Sequence, residues 1–522
     1  MLGMFLGALD QTIVGPVLPK IVTDLNGADL YTWVVTIYLL TSTVSVPIYG
    51  KLSDLYGRKP LLIAGIVLFL AGSALSGLSQ TMWQLILFRG IQGLGAGSLF
   101  PIALAVIGDL FTPAERGRYQ GLFGGVFGLA FIIGPFLGGY LTDHFGWHWI
   151  FFVNLPIGLI ALFVISRLLP NVHGKVTKIS IDYLGVATLV LGLVPILIGL
   201  TIAETGGFGD PYVWIWSAVG AVFLVIFVLV ERRAAEPVIP LHLFRNRTFS
   251  ASMVAIFFAT FGFGAAIIFL PLYFQVVEGA NATESGYRLL PFLAGLIFSS
   301  ILSGLVVSRT GKYKPTLIIG IVVLVIGLGL MTQLRAGTDD LTLAIWMVIA
   351  GLGVGPTFAV FTIVVQNSVP FHELGAATSD LTLFRQIGTT VGITMAFTLF
   401  RINLSWDLLR NQIIDAGAPA ALVPATPPAG FDLGTLTSVG GSSPLDFVSQ
   451  IPAQFQAAFL NGFHGAFTIA IADSLWLGVG ASALAVVAVL LLHEIPLRRT
   501  TGAEVPVSTP EPGGQRGQPV LD

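Results

Sequence analysis

The sequence predicts an all-α integral membrane protein with fourteen crossing helices. Three observations carry that expectation. The chain of 522 residues is 55% hydrophobic and only 10% charged, with a mean hydropathy of +0.88, whereas soluble domains carry about 25% charge. Apolar runs of about 20 residues, the length that crosses a bilayer core of roughly 30 Å, follow one another along most of the chain. The 62 glycines and 29 prolines suit such a bundle: small residues let helices approach closely, and neighbouring helices re-satisfy the backbone groups that proline frees.

Hydropathy and breaker residues place the helices near 1–19, 31–49, 61–79, 82–108, 119–141, 148–168, 183–201, 212–230, 249–275, 286–307, 316–333, 342–368, 377–400 and 464–492. The first has no basic flank and is interrupted by Asp10, so it reads as a retained helix rather than a signal peptide. Its 19 residues only just span the core, so a short leader ahead of Met1 is expected. Basic residues then orient the bundle. Eighteen fall in the loops and tail on one side, among them Lys51, Arg58, Lys59, Arg116, Arg118, Lys175, Lys178, Arg498 and Arg516. Four, Lys20, Arg335, Arg401 and Arg410, fall on the other. This asymmetry places both termini in the cytoplasm of a plasma (inner) membrane protein.

The chain repeats itself. Gly50, Gly57, Arg58 and Pro60 are echoed by Gly304, Gly311, Lys312 and Pro315, and the run Gly93 to Gly97 by Gly351 to Gly355. Glu115 and Gly117 return as Glu373 and Gly375. The expected organisation is a six-helix bundle over 1–170, two inserted helices with linkers over 171–248, and a second six-helix bundle over 249–497. Paired halves of this kind favour alternating access around a site at mid-membrane depth. Segment 401–463 reads as a long, weakly ordered external loop, and 498–522 as a disordered cytosolic tail.

Several function classes fall away. With no cysteine there is no disulfide, thiolate metal site or cysteine nucleophile. A formal charge of −2 leaves no nucleic-acid footprint. No phosphate-binding Gly-x-x-x-x-Gly-Lys-[Ser/Thr] loop, His-Glu-x-x-His or Gly-x-Ser-x-Gly motif occurs. The protein is therefore expected not to be an enzyme or an ATP-driven pump, and to use no cofactor and no metal. Its expected partners are a small-molecule substrate, protons and the lipid bilayer, with a monomer sufficient for function.

The stretch Gly50-Lys51-Leu52-Ser53-Asp54-Leu55-Tyr56-Gly57-Arg58-Lys59-Pro60 resembles the loop signature of the major facilitator superfamily. Leu9-Asp10-Gln11-Thr12-Ile13-Val14, Arg89 through Gly97 and Gly134-Pro135-Phe136-Leu137-Gly138-Gly139 resemble segments of its fourteen-helix drug/proton antiporters. Gly15, Pro16 and Ala130 depart from that pattern. The resemblance implies the major facilitator fold and proton-coupled export of lipophilic or cationic drug-like molecules. Transport of an endogenous metabolite, lipid, sugar or organic anion is the closest rival.

Asp10 lies mid-helix, where a carboxylate is costly enough to mark a functional site, and is a candidate to load and release protons. Arg89 is its expected cationic counterpart, with Gln92 on the same helix face. Asp473, read as equally deep in the last helix, is the candidate for a second proton or a cationic substrate. Gly50, Asp54, Gly57, Arg58, Lys59, Asp109 and Asp380 form an expected cytoplasmic gate. In it Asp54 caps a helix of the other half, and the resemblance pairs Arg58 with Asp109. Gly134, Pro135, Gly138 and Gly139 are expected to kink the fifth helix and let it pack closely at the interface between halves. By resemblance they mark antiporters. Trp33, Tyr38, Phe127, Phe261, Phe263 and Phe358 are candidates to line an apolar, cation-attracting cavity with Gln92. Arg288 and Arg385 read as lying near helix ends, with little weight for anionic cargo.

Overall fold

The computed structural model describes residues 1–25, 27, 30–170, 181–420, 423–426 and 453–497, and the regular structure in them is helical throughout. The first span is broken: α1 (Leu2–Val14) passes through a 3-10 turn at Gly15–Val17 into α2 (Leu18–Asp24). Pro16 and Pro19 fall at this joint, where missing N–H groups are tolerated at a fresh helix start. The first half continues with α3 (Tyr31–Tyr56), α4 (Arg58–Gly77), α5 (Met82–Leu110), α6 (Pro113–Phe145), α7 (Trp149–Phe152) and α8 (Asn154–Leu168). The inserted pair is α9 (Tyr183–Gly206) and α10 (Pro211–Glu231). The second half holds α11 (Arg247–Val276), α12 (Ala282–Arg288), α13 (Leu290–Thr310), α14 (Tyr313–Met331), α15 (Asp340–Ser368), α16 (Leu374–Asn403), α17 (Trp406–Asp415) and α18 (Ala453–Leu490).

Thirteen of these helical stretches are long and apolar enough to cross a membrane, and the bent pair of α16 and α17 makes up to fourteen. The exception is informative. The core-facing positions of α16 include Thr378, Ser379, Asp380, Thr382, Arg385 and Thr394, all buried. This helix therefore spends its apolar face on polar groups that only other protein can satisfy.

The sequence repeat reappears as geometry. Gly57 and Gly311 both hold positive φ, 93° and 70°, at the short turns after α3 and α13, where a side chain would be strained. Pro101 in α5 and Pro356 in α15 interrupt corresponding helices. The inserted pair packs through α9 against both α3 and α16, with Leu189, Leu193 and Phe227 meeting Val44, Val46 and Leu383 in one apolar cluster. Glu231 at the end of α10 anchors the exit chain by accepting the N–H groups of Val238 (3.1 Å) and Ile239 (3.3 Å).

Two boundaries differ from expectation. Segment 401–463 is not loop throughout. Trp406, Leu409 and Ile413 form the buried stripe of α17, which packs on α18, and Trp406 Nε1 donates to Pro424 O at 3.1 Å. The last helix begins at Ala453 rather than 464. Residues 427–452, Lys175 and Lys178, and the expected tail 498–522 lie outside the described residues.

At the end that carries the basic loops, the halves are closed against each other. The backbones of Gly117 on α6 and Gly304 on α13 meet with no room for a Cβ on either. Gln120 Nε2 donates to Gln366 Oε1 at 3.0 Å, and Gln366 Nε2 donates to Leu104 O at 3.0 Å. Because the chain has no cysteine, this contact can be probed without first removing thiols. Gln120→Cys combined with Gln366→Cys should cross-link efficiently with a short bifunctional thiol reagent. Adding Gly304→Leu, which forces the two backbones apart, should largely abolish the product.

Candidate functional site

The first half encloses a polar centre in otherwise apolar packing. Asp10 on α1 is fully buried, and its Oδ2 pairs with Arg89 Nη1 of α5 at 2.6 Å. Its Oδ1 accepts Gln92 Nε2 at 2.8 Å and Asn154 Nδ2, from the start of α8, at 3.0 Å. Arg89 Nη1 also donates to Gln92 Oε1 at 2.9 Å, and its guanidinium lies over the Tyr38 ring, 4.1 Å from the centroid. The network continues outward from Asn154 Nδ2 to Ser73 Oγ (3.0 Å), which donates to Phe151 O (2.8 Å). Two helices, α5 and α8, thus converge on one carboxylate of a third, α1. Asn154 and Ser73 escaped the sequence reading; the only signal was one amide in the apolar stretch 154–168.

A second polar cluster closes the basic-loop end. Asp54, near the end of α3, accepts the N–H of Gly375 at 2.9 Å and of Ala376 at 2.8 Å, first-turn donors of α16 in the other half that have no acceptor within their own helix. Arg58 Nη1 pairs with Asp54 Oδ1 at 2.6 Å, and its Nε pairs with Asp109 Oδ2 at 2.8 Å. Gly50 and Gly375 are needed because a Cβ on Gly50 would strike Ser379 and one on Gly375 would strike Arg58 and Asp54. Lys59 is half-buried and joins no ion pair among the described residues. Two further pairs bring the insertion into this face: Lys51 with Glu236 at 2.6 Å, and His242 with Glu373 at 3.0 Å. Asp380, six residues into α16, is fully buried, and neither carboxylate oxygen has a hydrogen-bond partner.

The aromatic candidates divide. Phe127 and Phe358 join Phe100 and Phe123 in a cluster that crosses between the halves, with centroid separations of 5.1 to 5.9 Å. Phe263 extends it by meeting Phe358 edge-on at 6.4 Å, and itself stacks on Phe292 at 5.9 Å. Tyr38 belongs to the Asp10 network, and Phe261 packs beside Phe257 at 6.3 Å. Trp33 lies apart, in a cluster with Ile21, Val34 and Met82.

Three expectations require correction. Asp473 does not reach the interior: it is exposed, on the same stripe of α18 as Trp476, Leu484 and Val487. Nearly every position of that helix is apolar, so its sequence does not mark which side turns inward. Gly134 and Gly138 pack on α1 of their own half, against Thr12 and Ile13, while Pro135 and Gly139 alone face α12 across the interface. Arg385 lies eleven residues past Leu374, about 16 Å along α16, and is buried among the central aromatics rather than at a helix end.

At the end opposite the basic loops, a cavity of about 670 Å³ opens between α11, α17 and α18, lined by Glu278, Asp340, Gln412, Asp415 and His464. None of Asp10, Arg89 and Arg385 lines it.

Paired helical halves, a deeply buried acid held by an arginine, and hydrogen bonds that join the halves at one end define a membrane transporter rather than an enzyme. The chain belongs to the Major Facilitator Superfamily, whose family model matches residues 1–393. Among similar proteins, Multidrug transporter protein MdtP of Bacillus subtilis is 39% identical over 87% of this chain and 85% of its own. Multidrug resistance protein 3 of the same organism is 35% identical over 84% and 86%. In structure the chain resembles the human organic anion transporter MFSD10 (TM-score 0.60, 14% identity, 94% of this chain and 97% of that one). It also resembles the proton:xylose symporter XylE (TM-score 0.54, 13% identity, 91% and 93%). At those identities the two structures speak for the fold alone.

The Asp10 network makes a stability prediction. Arg89→Ala strands a buried carboxylate and should cost about 3–5 kcal/mol. Adding Asp10→Asn should recover a large part of that loss, as read by a double-mutant cycle in thermal unfolding. Additive losses would show that the two side chains are not energetically coupled.

Proposed function

We propose that this protein exports lipophilic, drug-like small molecules across the plasma membrane in exchange for protons, by alternating access between the bundles 1–170 and 249–497. Asp10 is the proton-carrying group and Arg89 its switchable partner. The observation that carries this reading is the convergence of Arg89, Gln92 and Asn154 on one buried carboxylate. A proton on Asp10 would cancel the attraction to Arg89 and free that side chain, so loading and unloading would change what holds α1 to α5 and α8. The multidrug names of the two Bacillus subtilis relatives support the drug cargo. The basic-residue asymmetry supports cytoplasmic termini, with Asp54, Arg58 and Asp109 as a latch that closes the cytoplasmic side.

The cationic preference expected from Asp10 and Asp473 loses its footing. Asp10 is fully engaged by donors and Asp473 faces outward, so neither offers a free carboxylate to a cation in the aromatic centre.

Everted membrane vesicles with an acid interior provide the test. A panel of lipophilic drugs should release lumenal protons, followed with a pH-sensitive dye, in wild type. Asp10→Asn and Arg89→Ala should lose this response by about tenfold or more, the effect of removing one strong charge-assisted interaction. Full drug-dependent proton movement in Asp10→Asn would remove Asp10 from the coupling. No response to any drug, from protein shown to be folded, would overturn drug/proton exchange.

A further inference from the structure

Four arginines are buried among the described residues: Arg58, Arg89, Arg116 and Arg385. Arg58 and Arg89 are ion-paired, and Arg116 donates to the carbonyls of Gly108 and Phe111. Arg385 has no such partner. It forms no ion pair among the described residues, its exposure is 8%, and both Nε and Nη2 lack a hydrogen-bond acceptor. What holds its guanidinium is two ring faces: Phe358 on α15, 4.8 Å from the centroid, and Phe123 on α6, 5.7 Å away. These rings come from opposite halves. The cation therefore lies where the halves meet, in the cluster that also contains Phe127 and Phe263.

We propose that Arg385 is the anion-recognising residue of the substrate path, and that the preferred cargo carries a carboxylate beside an aromatic or similarly apolar body. Nε–H and Nη2–H project in parallel from one edge of the guanidinium, the edge that grips both oxygens of a carboxylate. Ring faces attract the charge but accept neither N–H as a carboxylate does. A buried arginine with that edge free is costly to maintain in a membrane protein, and such intramembrane charges mark ligand paths. The acid nearest along the same helix, Asp380, is five residues away, about 140° around the axis, so the two do not face each other. The phenylalanines around Arg385 provide the apolar complement for the rest of the molecule.

The proposal rests on the export reading only in that a small molecule passes between the halves, and it is tested without a gradient. The measurement is equilibrium binding of radiolabelled 1-naphthoate and its uncharged analogue 1-naphthamide to the purified full chain in lipid nanodiscs, with empty discs subtracted. Wild type should favour the carboxylate by about tenfold or more. Arg385→Gln should bring the two affinities to within about twofold by weakening naphthoate alone, because amide binding relies on the rings. Arg385→Lys, which keeps the charge but loses the fork, should retain only part of the preference and carries the test if the Gln variant does not fold. Equal wild-type affinities, binding of neither probe by folded wild type, or an unchanged preference in the folded variants would each overturn the assignment. Failure of proton coupling in vesicles, with the naphthoate preference intact, would remove the exchange mechanism and leave the anion site standing.

Discussion

Lipid offers no hydrogen bonds, and that constraint organises the whole molecule. A backbone in hydrocarbon must satisfy itself, so the chain crosses as helices, and every buried polar side chain must find its partner inside the protein. The Asp10 carboxylate shows how this is done, with one arginine and two amides backed by a serine and a carbonyl, although Arg89 Nε, Asn154 Oδ1 and the Tyr38 hydroxyl around it lack partners. Two charged side chains on α16 are satisfied far less than Asp10. Both Asp380 oxygens and one edge of Arg385 lack partners, and both residues lie on α16. That helix is also the span too polar to pass as a crossing on its own.

Closure at the basic end is built from interactions that can be undone. Asp54 bonds to two N–H groups at the start of α16 rather than to a charge in the other half. Each such bond is worth roughly 1.5–3 kcal/mol, enough to hold the halves together yet small compared with their buried apolar contacts. Arg58, held between Asp54 and Asp109, belongs to the first half with both of them. It can therefore keep Asp54 in place when α16 withdraws. The segment that follows the inserted helices contributes Lys51–Glu236 and His242–Glu373 at the same face. The insertion is thus tied to the parts that must move, although it contributes nothing to the Asp10 network.

Much of this could be read from the residues, for identifiable reasons. A charge inside an apolar run is conspicuous, which exposed Asp10 and Arg89, and helical spacing brought in Gln92. The turn residues Gly50, Asp54, Gly57 and Arg58 carry a dense local pattern. Asn154 and Ser73 were illegible because a lone amide or hydroxyl in an apolar helix is common, and the bonds from Asn154 to Asp10 and to Ser73 join residues far apart in the chain. Asp473 misled because depth can be counted along a helix, whereas facing requires an apolar moment that an all-round apolar α18 lacks. Arg385 was placed too shallow because Thr378, Ser379, Asp380 and Thr382 give the opening turns of α16 the hydropathy of a helix end. The ten-residue α17 fell below the length that a crossing demands, though its Trp406, Leu409 and Ile413 stripe was present.

The two halves share a fold and a repeat but divide their charges. The first half buries an acid under an arginine; the second buries an arginine under ring faces, one of them borrowed from the first half. On the proposed reading that asymmetry gives cargo and proton separate handles. A carboxylate gripping Arg385 would draw the guanidinium off Phe123, weakening a contact that holds the halves together at their centre. A proton on Asp10 would instead loosen contacts within the first half. The two events touch different helices, and α6 offers a route between them: it carries Phe123 and, through Gly134 and Gly138, packs on the helix that carries Asp10.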